Sequence, residues 1–289
     1  MLKPLLQTMR PRQWTKNGFL FAALVFDGKL FHLPDFLRTL AGFGLFCLIS
    51  SAVYIFNDLF DLEADRQHPV KRDRPLASGA LSIPVAVISG IILTSVSLAL
   101  GYWLAWQFAL VLLIYFALIL AYSKWLKHIP ILDVLIIAAG FVLRVHAGTT
   151  LITVERFSPW MYVVMTLLAL YLGFGKRRAE LALLAKDASN HRKVLEGYTL
   201  PLLDQFITIV SGTTIVAYSL YTFFRPEAPS GHALMLTIPF VVYGVFRYLY
   251  LIQVKHSGGA PEEVLLSDRP LQIAILLWGL AVLAVFYLS

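Results

Sequence analysis

The chain has 289 residues, of which 58% are hydrophobic and 14% are charged, and its mean hydropathy is +0.74. Soluble domains are about half apolar, so this composition excludes an ordinary soluble protein and indicates a helical membrane protein. The net charge is +7, and because Cys47 is the only cysteine, an intramolecular disulfide framework is excluded as well.

Nine apolar stretches follow one another along the chain, and a helix that crosses a bilayer needs about 20 such residues. The basic segment 1–16 precedes them and carries Trp14, which is typical of a segment lying at the lipid headgroups. We predict crossings at 17–31, 36–57, 84–104, 107–123, 131–151, 159–176, 201–224, 233–254 and 270–288. The first is short and contains Asp27. The sequence thus predicts an all-α polytopic membrane protein with nine transmembrane helices, forming one domain over residues 1–289.

The connections between these stretches alternate in length and charge. Most of the 24 Lys and Arg residues lie before the first stretch or in the connections 58–83, 124–130, 177–200 and 255–269. Basic loops remain on the cytoplasmic side of a membrane. We therefore expect a multi-pass protein of the inner (plasma) membrane whose N-terminus and long loops face the cytoplasm. An odd number of crossings places the C-terminus on the opposite side.

The densest acidic run lies where the second stretch ends. Asp58, Asp61 and Asp65 are spaced i, i+3 and i+7, which places them on one face of a helix, and Asn57 adds an amide oxygen beside them. Such oxygen ligands suit Mg²⁺ or Mn²⁺, which keep positions open for phosphate oxygens. Because the run directly continues an apolar stretch, we favour a metal site. The alternative is a solvated helix end whose carboxylates pair with cations that follow in the chain, namely Arg66, Lys71, Arg72 or Arg74.

Beyond Pro69, three cations still lie within ten residues of the acidic run. Lys71, Arg72 and Arg74 precede the turn formed by Pro75 and Gly79. Carboxylates that hold a metal, followed by cations that neutralise phosphate oxygens, predict a phosphoester site. The other interpretation is that these cations only keep the loop in the cytoplasm.

Polar residues also mark the fourth and fifth stretches. Tyr122 and Lys124 end the fourth stretch, and Arg144 lies inside the fifth. A cation that faces lipid is costly, so Arg144 is expected to face the protein interior, beside either an anion or a partner carboxylate.

Three consecutive cations, Lys176, Arg177 and Arg178, end the sixth stretch. They either bind an anion or only stop membrane transfer. The i, i+4 spacing of Lys176 and Glu180 also permits an ordinary helix ion pair.

These segments resemble the UbiA superfamily of membrane prenyltransferases. The members of that superfamily that act on aromatic acceptors usually carry a second Asp-rich motif after the sixth span, and here cations stand in its place. A site for two separate anions, a phosphosugar and a lipid phosphate, suits such cations, so the resemblance is to the phosphoribosyl branch. The resemblance is carried by Arg10-Pro-Arg-Gln-Trp-Thr-Lys-Asn17, Asn57–Gly79, Tyr122-Ser-Lys124, Gly140–Gly148 and Lys176-Arg-Arg-Ala-Glu-Leu181.

The resemblance implies a UbiA-like bundle in which the loops 58–83 and 177–200 form a cytoplasmic cap. It implies transfer of 5-phosphoribose from phosphoribosyl diphosphate to a polyprenyl phosphate, releasing diphosphate, for synthesis of cell-envelope polysaccharide precursors. Asn57, Asp58 and Asp61, with Asp65, would hold Mg²⁺ or Mn²⁺ at the leaving diphosphate. No nucleic acid is expected as a partner, and a homo-oligomer is compatible with this function. The substrate-binding candidates are Lys16, Asn17, Lys71, Arg72, Arg74, Tyr122, Lys124, Arg144, Lys176, Arg177 and Arg178.

Two other functions are compatible with the same sequence. A UbiA-type prenyltransferase would move a prenyl group from a prenyl diphosphate to an aromatic acceptor, and its product would lack ribose. A lipid-phosphate or anion transporter would move its substrate without breaking a bond, and the carboxylate cluster argues against it.

Overall fold

The computed structural model describes residues 2–155, 157–184, 193–224, 232–255 and 261–287, which are almost entirely helical. The described residues contain no β-strand. The helices are α1 (Leu2–Met9), α2 (Ala22–Phe26), α3 (Leu33–Phe60), α4 (Leu62–Gln67), α5 (Ile83–Leu104), α6 (Trp106–Lys124), α7 (Leu132–Thr149), α8 (Trp160–Leu184), α9 (Leu200–Phe224), α10 (Ile238–Gln253), α11 (Pro261–Ser267) and α12 (Arg269–Tyr287). Short 3₁₀ helices lie at Pro11–Phe21, Lys71–Asp73, Leu126–His128, Lys193–Gly197 and Ala233–Thr237.

Within the described residues, seven helices are long and apolar enough to cross a membrane. They are α3, α5, α6, α7, α9, α12 and the continuous segment Ala233–Gln253 that ends with α10. Each coincides with a predicted crossing to within a few residues, so the chain is a multi-span helical membrane protein.

The predicted number of nine crossings is not confirmed. The stretch 17–31 is not one long helix, since the 3₁₀ helix Pro11–Phe21 runs into the short α2, and Gly28 then turns the chain at a φ of 77°. Helix α8 has 25 residues, but any stretch of it that is long enough to cross a membrane, about 18 residues, contains both Lys176 and Arg177. These charges lower its apolar character below that of the other seven helices.

Proline marks where several of the long helices begin. Pro34, Pro84 and Pro239 lie in the first turns of α3, α5 and α10. A proline there lacks only an N–H that has no partner within the helix. Between α5 and α6 the chain reverses at a single extended residue, Ala105, whose φ is −165°.

The described helices form two compact units. The first comprises Met1–Leu24, Lys29–Lys127 and Leu143–Val154, and the second comprises Val25–Gly28, His128–Val142 and Glu155–Ser289. The single domain expected from the sequence therefore stays a prediction.

In the first unit, α3 packs against α5, α6 and the 3₁₀ helix Pro11–Phe21. Leu20, Phe46 and Phe108 are fully buried in its apolar core. Gly148 allows α7 to approach the 3₁₀ helix closely, because a Cβ atom there would lie 2.1 Å from the carbonyl oxygen of Leu20. No side chain fits at that distance, so this contact fixes the N-terminal segment against the helices.

In the second unit, α8 packs along α9, and α10 packs along α12. Tyr171, Leu203 and Ile207 are buried in its apolar core. Gly173 lets α8 approach α7, since a Cβ atom there would lie 2.5 Å from Val134 Cγ1.

Candidate functional site

The acidic run lies at the end of α3 and continues into α4. Asn57 and Asp58 belong to the last turn of α3, Asp61 joins the two helices, and Asp65 lies in α4. The backbone of Asp61 keeps the helical path, because its N–H donates to Asn57 O at 3.0 Å and its C=O accepts from Asp65 N at 2.8 Å. The spacing of the run therefore places its carboxylates on successive turns, as the sequence predicts.

Two arginines neutralise the two buried carboxylates of this run. Arg10 Nη2 donates to Asp58 Oδ1 at 2.5 Å, and its guanidinium lies 4.9 Å from the centre of the Tyr54 ring. Arg74 Nη1 bridges the pair, at 2.6 Å from Asp65 Oδ2 and 3.3 Å from Asp58 Oδ1. Burying a carboxylate is costly unless it is paired and hydrogen-bonded, so these arginines account for the burial of Asp58 and Asp65.

Asp61 is the most exposed carboxylate of the three, and it has a separate partner. Lys127 Nζ, from the 3₁₀ turn that follows α6, lies 2.6 Å from Asp61 Oδ1. Asn57 Nδ2 donates to the other oxygen, Oδ2, at 3.4 Å. Both oxygens of Asp61 are therefore engaged.

Arg10 holds its position with an uncommon backbone conformation. Its φ is 52°, in the left-handed region, and it directly precedes Pro11 at the start of the 3₁₀ helix. A non-glycine residue in this region costs on the order of 1 kcal/mol. The contacts of its guanidinium with Asp58 and Tyr54 help to offset that cost.

The donor types of the acidic run fit a hard divalent cation. Three aspartates and one asparagine within nine residues offer oxygen ligands of the kind that Mg²⁺ takes together with water. Within the described residues, however, no group of three or more His, Cys, Asp or Glu side chains is arranged to hold a metal. Each carboxylate faces a cation instead. A metal ion shared by Asp58, Asp61 and Asp65 would therefore replace those cations as the counter-charge.

The three cations that follow the acidic run differ in their surroundings. Arg74 joins the carboxylates, whereas Lys71 and Arg72 are exposed in the short 3₁₀ helix Lys71–Asp73. His68 holds this turn, because its Nδ1 accepts from the backbone N–H groups of Val70 and Lys71 at 3.1 and 3.2 Å. Lys71 and Arg72 stay predicted phosphate ligands.

Arg144 forms a second polar centre inside the first unit, and the expectation that it faces the interior is confirmed. Its Nε donates to Asn17 Oδ1 at 2.9 Å, and its Nη2 donates to the Tyr115 hydroxyl at 2.9 Å. Asn17 is fully buried, and its Nδ2 donates to Ser50 Oγ at 3.2 Å and to Cys47 Sγ at 3.3 Å. Asn17 therefore joins the 3₁₀ helix, α3 and α7, and its predicted role in substrate binding stays a prediction.

In the second unit, Arg177 is the centre of a buried network. Its Nε lies 2.6 Å from Asp133 Oδ2 and its Nη1 lies 2.7 Å from Glu180 Oε2. The Tyr198 hydroxyl donates to Asp133 Oδ1 at 2.7 Å and accepts from the backbone N–H of Ile131 at 2.5 Å. Burial raises the pKa of Tyr198, and the hydrogen bond to Asp133 raises this pKa further, so the phenol remains a proton donor. Arg177 therefore has a structural role that its sequence position does not reveal.

The neighbours of Arg177 differ from it. Arg178 is paired with Asp204, with its Nε 2.5 Å from Oδ1 and its Nη2 3.4 Å from Oδ2. Lys176 is half-buried and makes no ion pair or hydrogen bond with any part of the chain that the structure describes. The i, i+4 pair of Lys176 with Glu180 does not form, because Arg177 occupies Glu180. Of the three predicted anion ligands, Lys176 is the one with its charge available.

The remaining predicted residues lie in the first unit. Lys16 and Tyr122 are half-buried, and Lys124 is exposed with its Nζ 4.7 Å from the centre of the Trp125 ring. Part of the predicted cap loop, residues 185–192, lies outside the described residues.

Comparison with known proteins agrees with this fold. Residues 18–267 match the model of the UbiA prenyltransferase family. The chain is 35% identical to the decaprenyl-phosphate phosphoribosyltransferase of Mycolicibacterium smegmatis, over 100% of this chain and 94% of that protein. It is 33% identical to the protein of the same name from Corynebacterium glutamicum, over 98% of this chain and 87% of that one. A UbiA homolog from Archaeoglobus fulgidus, solved with DMAPP and Mg²⁺, superimposes with a TM-score of 0.72 at 20% identity over 99% of both chains.

Proposed function

The chain belongs to the UbiA prenyltransferase family, and we propose that it transfers 5-phosphoribose from phosphoribosyl diphosphate to a decaprenyl-type polyprenyl phosphate and releases diphosphate. The observation that carries this proposal is the similarity, over the whole chain, to two relatives named decaprenyl-phosphate phosphoribosyltransferase. The product would serve the synthesis of cell-envelope polysaccharides. The long basic loops would face the cytoplasm, where phosphoribosyl diphosphate is available.

In this proposal, Asn57, Asp58, Asp61 and Asp65 hold Mg²⁺ or Mn²⁺ beside the leaving diphosphate. When bound there, the metal would supply positive charge that stabilises the departing diphosphate. The donor types of these side chains support this assignment, and so does the Mg²⁺ bound to the structural relative from Archaeoglobus fulgidus.

The reaction breaks the bond between C1 of the ribose and the diphosphate oxygen and forms a bond from C1 to an oxygen of the lipid phosphate. A phosphate oxygen is already ionised at neutral pH, so the reaction requires no general base. The transition state resembles an oxocarbenium ion, as in other glycosyl transfers. The task of the protein is therefore to neutralise and orient the anions with preorganised charges. Lys71, Arg72 and Arg74 are the candidates for the phosphates of the donor.

The second anion requires cations of its own. Lys176 is the first candidate, because its charge is not engaged by the described residues. Lys16 and Lys124 are further candidates. Arg177 and Arg178 would act by positioning their segment, because their guanidinium groups already contact carboxylates. Asn17, Tyr122 and Arg144 would line the substrate cavity.

The test uses the full-length protein in lipid nanodiscs with ribose-labelled phosphoribosyl diphosphate, decaprenyl phosphate and Mg²⁺. We expect labelled ribose in the lipid fraction and stoichiometric release of diphosphate. Asp58→Asn and Asp61→Asn should each lower turnover by about 100-fold or more, since charge stabilisation of this kind contributes on that order. Glu63→Gln is the matched control, because Glu63 is an exposed carboxylate of the same segment that pairs, among the described residues, only with Arg66. Turnover like that of the wild type in both Asp variants would contradict the metal assignment.

A second candidate function is prenyl transfer, which the matching family model favours by its description. The same nanodiscs, given a labelled prenyl diphosphate and an aromatic acceptor, distinguish the two reactions. A product that carries the prenyl group and no ribose would establish the second function in place of the first.

A further inference from the structure

The three carboxylates of the acidic run are balanced one for one by cations from three other segments. Asp58 faces Arg10 at the start of the 3₁₀ helix, and Asp61 faces Lys127 after α6. Asp65 faces Arg74 in the turn before α5. The site as a whole is therefore close to neutral before any ligand arrives.

The exposure of these side chains shows which of them an incoming ligand meets first. The side chains of Arg10 and Arg74 are 30% and 28% exposed, whereas those of Asp58 and Asp65 are 3% and 5% exposed. The two arginines thus cover the two buried carboxylates on the solvent side. Asp61 is 29% exposed and its partner Lys127 is 14% exposed, so Asp61 is the most accessible of the three carboxylates.

A divalent cation that enters this neutral site by itself meets two obstacles. It must displace Arg10, Arg74 or Lys127 from the carboxylates. The site, which was neutral before, would then carry two uncompensated positive charges. A diphosphate removes both obstacles. It carries several negative charges, and its oxygens give the displaced guanidinium and ammonium groups new partners of the kind they prefer.

We propose that Arg10 and Lys127 are diphosphate-binding residues, and that their ion pairs with Asp58 and Asp61 make metal binding conditional on the diphosphate. This inference rests on the proposed function, because it assumes that the acidic run holds the metal. In the ligand-free protein the two cations hold the carboxylates. When metal and diphosphate bind together, the carboxylates would hold the metal and the two cations would turn to the phosphate oxygens.

If Arg10 and Lys127 act in this way, removing either cation should tighten the binding of the metal alone, an effect that a purely structural role would not produce. Replacing Lys127 by a neutral residue leaves Asp61 without its cation, and replacing Arg10 leaves Asp58 with only the longer contact to Arg74. In either variant the carboxylate attracts a divalent ion more strongly. The variant should therefore bind the metal alone more tightly than the wild type does. Diphosphate should also tighten metal binding less in the variant than in the wild type, because one of the cations that would bind the phosphate oxygens is missing.

The experiment is equilibrium dialysis of the full-length protein in nanodiscs with radioactive Mn²⁺. Free Mn²⁺ is held at fixed concentrations by a metal buffer, with and without inorganic diphosphate. For the wild type we expect the apparent Kd for Mn²⁺ to fall at least tenfold when diphosphate is saturating. For Arg10→Met and Lys127→Met we expect the Kd for Mn²⁺ alone to fall several-fold. The further decrease of this Kd when diphosphate is added should be only a few-fold.

Two further variants separate charge from packing. Arg66→Met removes a cation from an exposed pair with Glu63 on α4 and should change neither value. Lys127→Arg keeps the charge and should restore most of the gain from diphosphate. If Arg10→Met does not fold, Lys127→Met tests the same prediction, because Lys127 does not have the left-handed backbone conformation of Arg10.

The outcomes distinguish this inference from the proposed function. If Mn²⁺ binds to the wild type and Asp61→Asn abolishes that binding, the metal site stands. Unchanged or weaker binding of Mn²⁺ alone in both Met variants then overturns the inference by itself. If the wild type binds no Mn²⁺ with or without diphosphate, the metal site and the inference fail together.

Discussion

Arg177 offers a sharp distinction between a residue that binds substrate and one that holds the fold. The sequence predicts a substrate ligand, whereas the structure places the guanidinium in a buried ion pair with Asp133. The two side chains are 2% and 0% exposed. Arg177→Met removes the cation and keeps much of the apolar volume.

The expected loss of stability follows from what Arg177→Met leaves behind. Glu180 has a partly exposed side chain and regains water, but Asp133 has no exposed surface and keeps the hydrogen bond from the Tyr198 hydroxyl. Removing one partner of a buried pair typically costs about 3–5 kcal/mol. Since a native protein is stable by about 5–15 kcal/mol, the variant should lose a large part of its stability.

The double variant Arg177→Met/Asp133→Asn removes both charges and lets the amide keep an acceptor for Tyr198. We expect it to be more stable than the sum of the single variants predicts, with a coupling of about 2 kcal/mol. The free energies of unfolding are measured by circular dichroism in mixed detergent micelles. Lys176→Met is the matched control, because the adjacent cation has no partner in the described structure, and it should change stability by about 0.5 kcal/mol or less.

One result would refute this reasoning. If Arg177→Met stays within about 1 kcal/mol of the wild type while the KM for phosphoribosyl diphosphate rises strongly, Arg177 binds substrate and the buried pair is dispensable.

Three further predictions concern packing, pH and metal. Gly148→Ala should destabilise the protein by about 3 kcal/mol in the same unfolding assay, because its Cβ would lie 2.1 Å from the carbonyl oxygen of Leu20. The control is Gly212→Ala, which adds a methyl group in open space and should be neutral or stabilising. The pKa of Asp268 is lowered first by its hydrogen bond from Arg247, so this pair stabilises the fold above the unfolded pKa of about 4 and loses its effect as pH falls through the folded pKa. Asp268→Asn should therefore lower the thermal midpoint at pH 7, and its difference from the wild type should shrink below pH of about 4; a difference that persists in acid would contradict the charge argument. Removal of divalent ions with a chelator should abolish ribosyl transfer, and added Mg²⁺ should restore it; transfer that continues in the chelator would exclude the metal.

Hydropathy predicts most of the fold because a lipid-facing helix has to be apolar over its whole length. It fails at 17–31, where the apolar run is real but the chain forms a 3₁₀ helix and a short α-helix. It also misjudges the end of the sixth stretch, since α8 continues to Leu184 through Lys176 and Arg177. In that helix the buried partner Asp133 compensates the charge, and hydropathy takes no account of such partners.

The candidate site is predictable only where its contacts are local. The spacing of the acidic run and the proximity of Arg74 follow from the sequence. Arg10 and Lys127 do not, because they reach their carboxylates from 48 and 66 residues away. For the buried pair of Arg177 one signal was available: Asp133 lies within an apolar stretch, and a buried carboxylate there requires a cation.

Cys47 gives the first unit a reporter that needs no engineering. It is the only cysteine in the chain, it is buried in α3, and its sulfur accepts the amide of Asn17 from the 3₁₀ helix. Because Cys47 is buried, a thiol reagent reaches it when its surroundings open, so the alkylation rate measures the free energy of that local opening. Because Arg10 begins the same 3₁₀ helix, slower alkylation in the presence of metal and diphosphate would show that the ligands tighten the N-terminal segment on α3.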